Sequence, residues 1–167
     1  MRFKTLDLNL LVALDVLLDE QSVTRAAERL NVSQPVTQKM SIKVTRELAQ
    51  NIPICEGDFV LLRQAVLNLI NNACQAMDDV KGPRELHVRT WREPEDICIS
   101  VSDSGTGIPP ELRTKIFDTF FSTKGERGTG LGLAAVKNIM RRHNGDVIVR
   151  ESDSGGAEFV LRFPTKR

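Results

Sequence analysis

Apolar and polar positions change their period along the chain. From Leu8 to Leu18 Leu and Val are dense, and Asp19 and Glu20 close the run. Ser22 can cap a second short helix ending near Leu30. Asn31-Val32-Ser33 makes a turn, and Ser33 can cap a third helix with Pro35 in its first turn. The first forty residues therefore read as helices, in helix-turn-helix order. From about Ser41 the period shortens: Ile42 and Val44 alternate with Lys43 and Thr45, which predicts a strand. The alternative at this junction continues the third helix to Gln50 at the expense of that strand.

Asn51-Ile52-Pro53 breaks the chain, and Glu56-Gly57-Asp58 leads into a helix running to about Met77. Leu61, Leu62, Ala65, Leu69 and Ala73 form its apolar face. Lys81-Gly82-Pro83 is a turn. Glu85–Trp91 and Asp96–Val101 predict paired strands joined by Arg92–Glu95. Residues 104–130 are rich in Gly, Pro, Ser and Thr, hence mostly loop, with a short helix over Pro110–Phe117. Leu131–Arg142 is helical and Asn144-Gly145 stops it. Asp146–Glu151 and Ala157–Phe163 predict two more strands, and Asp153-Ser154-Gly155-Gly156 is the hairpin between them.

A chain of 167 residues can bury one core, or one medium domain plus a small appendage. Its 41% hydrophobic and 27% charged residues are those of an ordinary soluble protein. No apolar run approaches the roughly eighteen residues of a membrane span, and no secretory signal opens the chain. Cys55, Cys74 and Cys98 are scattered and odd in number, so they form neither metal-ligand pairs nor a disulfide framework. A cytoplasmic location is expected. A net charge of +1 offers no general attraction for nucleic acid.

Several segments can carry chemistry. Asp103-Ser104-Gly105-Thr106-Gly107 places a carboxylate at a strand end, able to accept a hydrogen bond from an exocyclic amine. Gly105 and Gly107 would let backbone approach a flat ring, although Asp-Ser-Gly is also an ordinary turn. Gly128-Thr129-Gly130-Leu131-Gly132-Leu133 opens a helix, where amides and the positive helix end suit phosphates. Its spacing matches neither the dinucleotide fingerprint nor a P-loop, and a flexible loop plus a helix start explains it equally. Asn68 and Asn72 share one helix face, and their amide oxygens can hold a hydrated Mg²⁺. Asn is a poor helix-interior residue, and Asn71 makes a third, although solvent exposure also accounts for them. In Phe117-Asp118-Thr119-Phe120-Phe121-Ser122-Thr123-Lys124 the aromatic residues can anchor a loop and Lys124 can reach a phosphate. Core packing is the plainer account of the three phenylalanines.

In order and spacing these pieces resemble the catalytic, ATP-binding domain of sensor histidine kinases. That superfamily is shared with DNA gyrase and mismatch-repair ATPases. Gln64–Ala73 resembles its N box, Asp103–Gly107 its first glycine box, Phe117–Lys124 its F box and Gly128–Gly132 its second glycine box. The resemblance covers about three quarters of the chain. It implies an α+β fold, a two-layer α/β sandwich with a mixed sheet, over residues 41–167. A small helix-turn-helix segment would occupy residues 1–40.

By the same resemblance ATP lies beneath a lid from about Ser104 to Gly130. Asp103 would bind the adenine amino group, with Gly105 and Gly107 beside it. Asn72, with Asn68 assisting, would hold Mg²⁺. Lys124 and the segment Gly128, Thr129, Gly130, Leu131, Gly132 and Leu133 would hold phosphates, with Asn68 and Lys124 as the catalytic residues. Ala157 stands where Ser or Thr is common, so no role is carried over there. ATPase relatives have a glutamate base at the position of Asn68. Asn cannot act as that base near neutral pH, so the resemblance implies phosphoryl transfer, with hydrolysis below about one turnover per minute.

The helical hairpin that bears the acceptor histidine in complete kinases has no counterpart here. The chain's two histidines are His87, inside a predicted strand, and His143, at a helix end where a cation favours the dipole. Both read as structural. The expected partner is a histidine-bearing dimerisation domain or a response regulator in trans. Ala26–Pro35 resembles the start of LysR-type transcription regulators. By that resemblance Gln34, Thr37, Gln38 and Lys39 would face DNA, with Arg25 near phosphate. The match stops near Met40, and five basic residues are balanced by five acidic ones over residues 1–40. DNA binding by so short a segment is disfavoured, and a fusion explains the junction better. The alternative functions are a nucleotide-responsive DNA-binding regulator and an ATP-binding fragment without transfer activity.

Overall fold

A computed structural model describes residues 4–6, 42–53, 55–122 and 130–165. The predicted DNA-facing residues Arg25, Gln34, Thr37, Gln38 and Lys39 lie outside them, as do Lys124, Gly128 and Thr129. The described elements are β1 (Lys4–Leu6), β2 (Lys43–Leu48), β3 (Cys55–Gly57), α1 (Phe59–Ala76), β4 (Glu85–Arg92) and β5 (Asp96–Asp103). They are followed by α2 (Gly132–Arg142), β6 (Asp146–Glu151) and β7 (Ala157–Pro164).

Alternation builds the main sheet. Leu86 and Val88 of β4, Ile97, Ile99 and Val101 of β5, and Phe159, Leu161 and Phe163 of β7 all enter one core with α1 and α2. Five strands lie in the order β2-β4-β5-β7-β6. β2 runs parallel to β4 and every other pair is antiparallel, so the sheet is mixed and the fold is the expected two-layer sandwich. On the other face Trp91 donates its indole N–H to Glu93 at 3.1 Å, and Arg162 reaches the same carboxylate at 2.7 Å. The indole hydrogen bond and then the guanidinium charge hold Glu93 below the usual carboxylate range.

α1 starts where Asp58 caps it. One carboxylate oxygen accepts from Val60 N at 3.0 Å and Leu61 N at 3.2 Å. Its buried stripe comprises Leu62, Ala65, Val66, Leu69, Ile70, Ala73 and Cys74. Each large aliphatic in that stripe stabilises the fold by about 1.5–3 kcal/mol.

The helices expected over Leu8–Leu18, over Ser22–Leu30 and from Ser33 lie outside the described residues, and Lys4–Leu6, ahead of them, is a strand that pairs antiparallel with β3. β3 itself was hidden because three residues are too few to show a period. Two expectations are corrected. The alternative helix to Gln50 is excluded, because Lys43–Leu48 pairs with β4 along its whole length. The single helix over Pro110–Phe117 is two 3₁₀ turns, Pro110–Leu112 and Lys115–Phe117. The intervening chain turns so that Ile116 and Phe117 are buried together.

Candidate active site

One face of α1 organises the site. Asn68, Asn72 and Ala76 follow at intervals of four, so they stand above one another, about 12 Å from first to last. At one end, Asn68 Nδ2 donates to the Gly132 carbonyl at 3.3 Å, which ties α1 to the first residue of α2. At the other end Gly105 lies against Ala76: a Cβ on Gly105 would stand 2.7 Å from the Ala76 carbonyl oxygen. Asn72 sits between. The first glycine segment and the glycine-rich helix start are therefore brought to one helix face, although Gly105 and Gly132 are 27 positions apart in the chain.

Asp103 ends β5 and is 1% exposed. Its Oδ1 accepts from Gly105 N at 2.8 Å and from Ala157 N at 3.2 Å. Two N–H donors therefore meet this buried carboxylate at one oxygen. Gly107 takes φ +71°, a left-handed conformation that glycine adopts without steric cost, and it faces the Gly155 carbonyl. Beneath Asp103 lies Cys74, whose thiol is pushed up to about 11, first by burial and then by Asp78 and Asp103.

The loop leaving this site is pinned at its neck. Phe120 N donates to Gly130 O at 3.1 Å. Gly130 takes φ +64°, and a Cβ there would lie 2.5 Å from the Phe120 carbonyl carbon, so glycine is required on both counts. The three phenylalanines divide. Phe117 is buried edge-on against Phe159, with ring centroids 6.3 Å apart, and Phe121 packs on the core. Phe120 is 78% exposed and takes φ +67°, so core packing does not account for it. Leu131 precedes α2, which starts at Gly132 without a side-chain cap. Gly132 has nothing within 4 Å of an added Cβ, and Leu133 packs on the core. The backbone at this helix start is thus suited to an anion.

His143 ties two elements together. It is buried, Nε2 accepts from Asp58 N at 2.9 Å, and Nδ1 lies 2.7 Å from the Ile139 carbonyl. Both ring nitrogens are thus engaged with backbone groups, in keeping with a structural part. It joins the end of α2 to the cap of α1. His87 is half-buried in β4, as its place in a strand implied.

Sequence reasoning missed the third wall. Ser152 is buried, and its Oγ donates to the Asp103 carbonyl at 2.6 Å while accepting from Gly156 N at 2.9 Å. The only sign in the chain was the Ser-Gly hairpin signal at Asp153–Gly156, which any β-hairpin can carry. Its docking against Asp103 follows from the pairing of β5 with β7, which no local pattern contains.

The same fold occurs in known proteins. Residues 57–167 match the family described as histidine kinase-, DNA gyrase B- and HSP90-like ATPase. The chain belongs to this family. It is 34% identical over 141 residues to the C4-dicarboxylate transport sensor protein DctS of Rhodobacter capsulatus, covering 83% of this chain and 21% of that one. To the signal transduction histidine-protein kinase AtoS of Escherichia coli K12 it is 36% identical over 138 residues, covering 82% and 22%. The chain thus spans about a fifth of the length of these curated relatives. Among solved structures, the nucleotide-free catalytic domain of histidine kinase ThkA superposes with a TM-score of 0.73 at 27% identity, over 98% of both chains. Full-length ShkA in complex with AMPPNP gives 0.73 at 26% identity, over 98% of this chain and 31% of that one. The ATPase domain seen here is therefore of the sensor histidine kinase type. Among the described residues no helix is long and apolar enough to cross a membrane.

Proposed function

We propose that this chain binds Mg-ATP and passes the γ-phosphoryl group to a histidine on another chain or domain, as a catalytic module of a two-component system. One observation carries the reading: Asp103, the Asn68–Asn72 pair and the start of α2 meet along a single face of α1. The AMPPNP bound by ShkA is in keeping with it.

ATP supplies the phosphoryl group, and the residues present suit it. The Asp103 carboxylate accepts from the adenine amino group, and Gly105 and Gly107 leave room for the ring. The first amides of α2, from Gly130 to Leu133, receive phosphate oxygens, joined by Gly128, Thr129 and Lys124 from the segment before it. Asn72 lends an oxygen to Mg²⁺. Asn68 gives its N–H to Gly132, which leaves its amide oxygen for the same cation. Among the described residues no group of three His, Cys, Asp or Glu side chains is placed to hold a metal. A cation here would be shared between amide oxygens, phosphate and water. Mg²⁺ neutralises phosphate charge when bound. The protein's own part is to position the chain of phosphates and to keep a hydrolytic base away from it.

The module extends over residues 41–167 on this reading. It sits in the cytoplasm and works on a histidine-bearing hairpin or response-regulator pathway in trans. Titration with a fluorescent ATP analogue tests it. Binding is expected to strengthen with Mg²⁺ and to weaken by at least about tenfold in Asp103→Ala, the loss of a buried charged acceptor. Unchanged affinity in that variant sinks the reading. Radiolabel transfer to a supplied hairpin domain then separates a kinase module from a fragment that only binds.

A further inference from the structure

We propose that the β6–β7 hairpin, through Ser152 and Gly156, positions the Asp103 carboxylate and thereby sets the preference for adenine over guanine. The proposal rests on the reading that Asp103 accepts from the base's exocyclic amine.

The hairpin holds Asp103 at both ends. Ser152 Oγ, 6% exposed, donates to the Asp103 carbonyl at 2.6 Å. Ala157 N, the first residue of β7, donates to Asp103 Oδ1 at 3.2 Å. Backbone hydrogen bonds make the hairpin itself stiff: Ser152 N to Gly156 O and Gly155 N to Ser152 O, both at 3.0 Å. Gly156 then closes the space. A Cβ there would stand 2.6 Å from Gly105 N and would run into both the carbonyl and Oδ1 of Asp103.

Both amide donors, Gly105 N and Ala157 N, take the same carboxylate oxygen. The carboxylate cannot turn without giving them up. Fixed in this way it presents an acceptor in one direction only. Adenine offers an amine there, whereas guanine in the same pose offers a carbonyl oxygen, and two acceptors repel. A carboxylate free to swing could instead meet the N–H groups on the other edge of guanine. Discrimination therefore depends on what restrains Asp103 as much as on Asp103 itself. Ser152 is a positioning residue in this scheme, since it acts on the base only through Asp103.

Displacement of a fluorescent ATP analogue by unlabelled ATP and GTP, with Mg²⁺ and the full chain, tests this. In Ser152→Ala the affinity for ATP is expected to fall about fivefold or more while that for GTP changes less than twofold, so the ATP/GTP preference drops. Gly156→Ala keeps the Ser152 hydroxyl but drives a Cβ into Asp103, displacing the carboxylate by a different route, and is expected to lower the preference in the same way. It decides the matter if Ser152→Ala does not fold. Equal weakening of both nucleotides, or a wild-type chain without preference, overturns the proposal. Failure of the underlying reading looks different: Asp103→Ala would then leave ATP affinity intact.

Discussion

Asn68 has two polar ends, and one of them already holds the start of α2. Asn68→Asp separates its duties. The variant keeps oxygen for a cation but loses the N–H, and it sets a carboxylate against the Gly132 carbonyl. Nucleotide affinity is expected to fall by about tenfold even in saturating Mg²⁺, measured by the same fluorescent titration. Tighter binding would mean that the side chain serves the metal alone. The buried thiols make a second prediction at this scale. Cys74 and Cys98 are each pushed up to about 11 from an ordinary 9.0, burial being the first cause in both, followed by Asp78 at Cys74 and Glu93 at Cys98. In the folded state they keep their protons longer than in the unfolded chain. Their contribution to stability is complete below pH 9.0 and is lost as pH rises toward 11. Thermal melts across that range should decline, and the decline should be shallower in Cys74→Ala. At pH 8 folded protein should label slowly with maleimide at both sites, and urea should speed it.

Two links between elements hold the helices in place around the site. At the far end from Asn68, His143 joins α2 to the cap residue of α1 through the Asp58 N–H. His143→Ala removes two hydrogen bonds and leaves a polar group unmet, at a cost of about 1–3 kcal/mol, read from urea unfolding. A change within a few tenths of a kcal/mol would show that the link does not bear on stability. The other link is the neck at Phe120 and Gly130. It joins Phe120 to the residue two before α2 while Phe117 and Phe121 stay on the core. Phe120, exposed and in a left-handed conformation, is the part of the F-box segment that sequence could not sort from its neighbours. Aromatic character is the same at all three positions, and only the turn of the backbone separates them.

Across the whole molecule the choice between kinase and hydrolase rests on what α1 lacks. With Asn at position 68 no base stands one turn before Asn72 to take a proton from water. Steady-state ATP hydrolysis is expected below about one turnover per minute, followed by phosphate release, and faster turnover would count against phosphoryl transfer as the purpose of the site. Nucleotide should still stabilise the fold, by about 2.7 kcal/mol at a hundredfold excess over Kd, since binding favours the native state alone.

The sequence by itself determined the long periodic elements and the places of the carboxylate and glycine segments. The 18-residue α1, the paired strands β4–β5 and β6–β7, and the carboxylate and glycine segments all announce themselves locally, because period, caps and turn residues act over a few positions. Three-residue β1 and β3 and the engagement of His143 were decided by partners distant in the chain. So was the clamp of Ser152 on Asp103, which spans 49 residues. A hydrogen bond across such a distance leaves no period behind it. It exists only once β5 and β7 lie side by side, and the burial of the sheet's inner face is what brings them there.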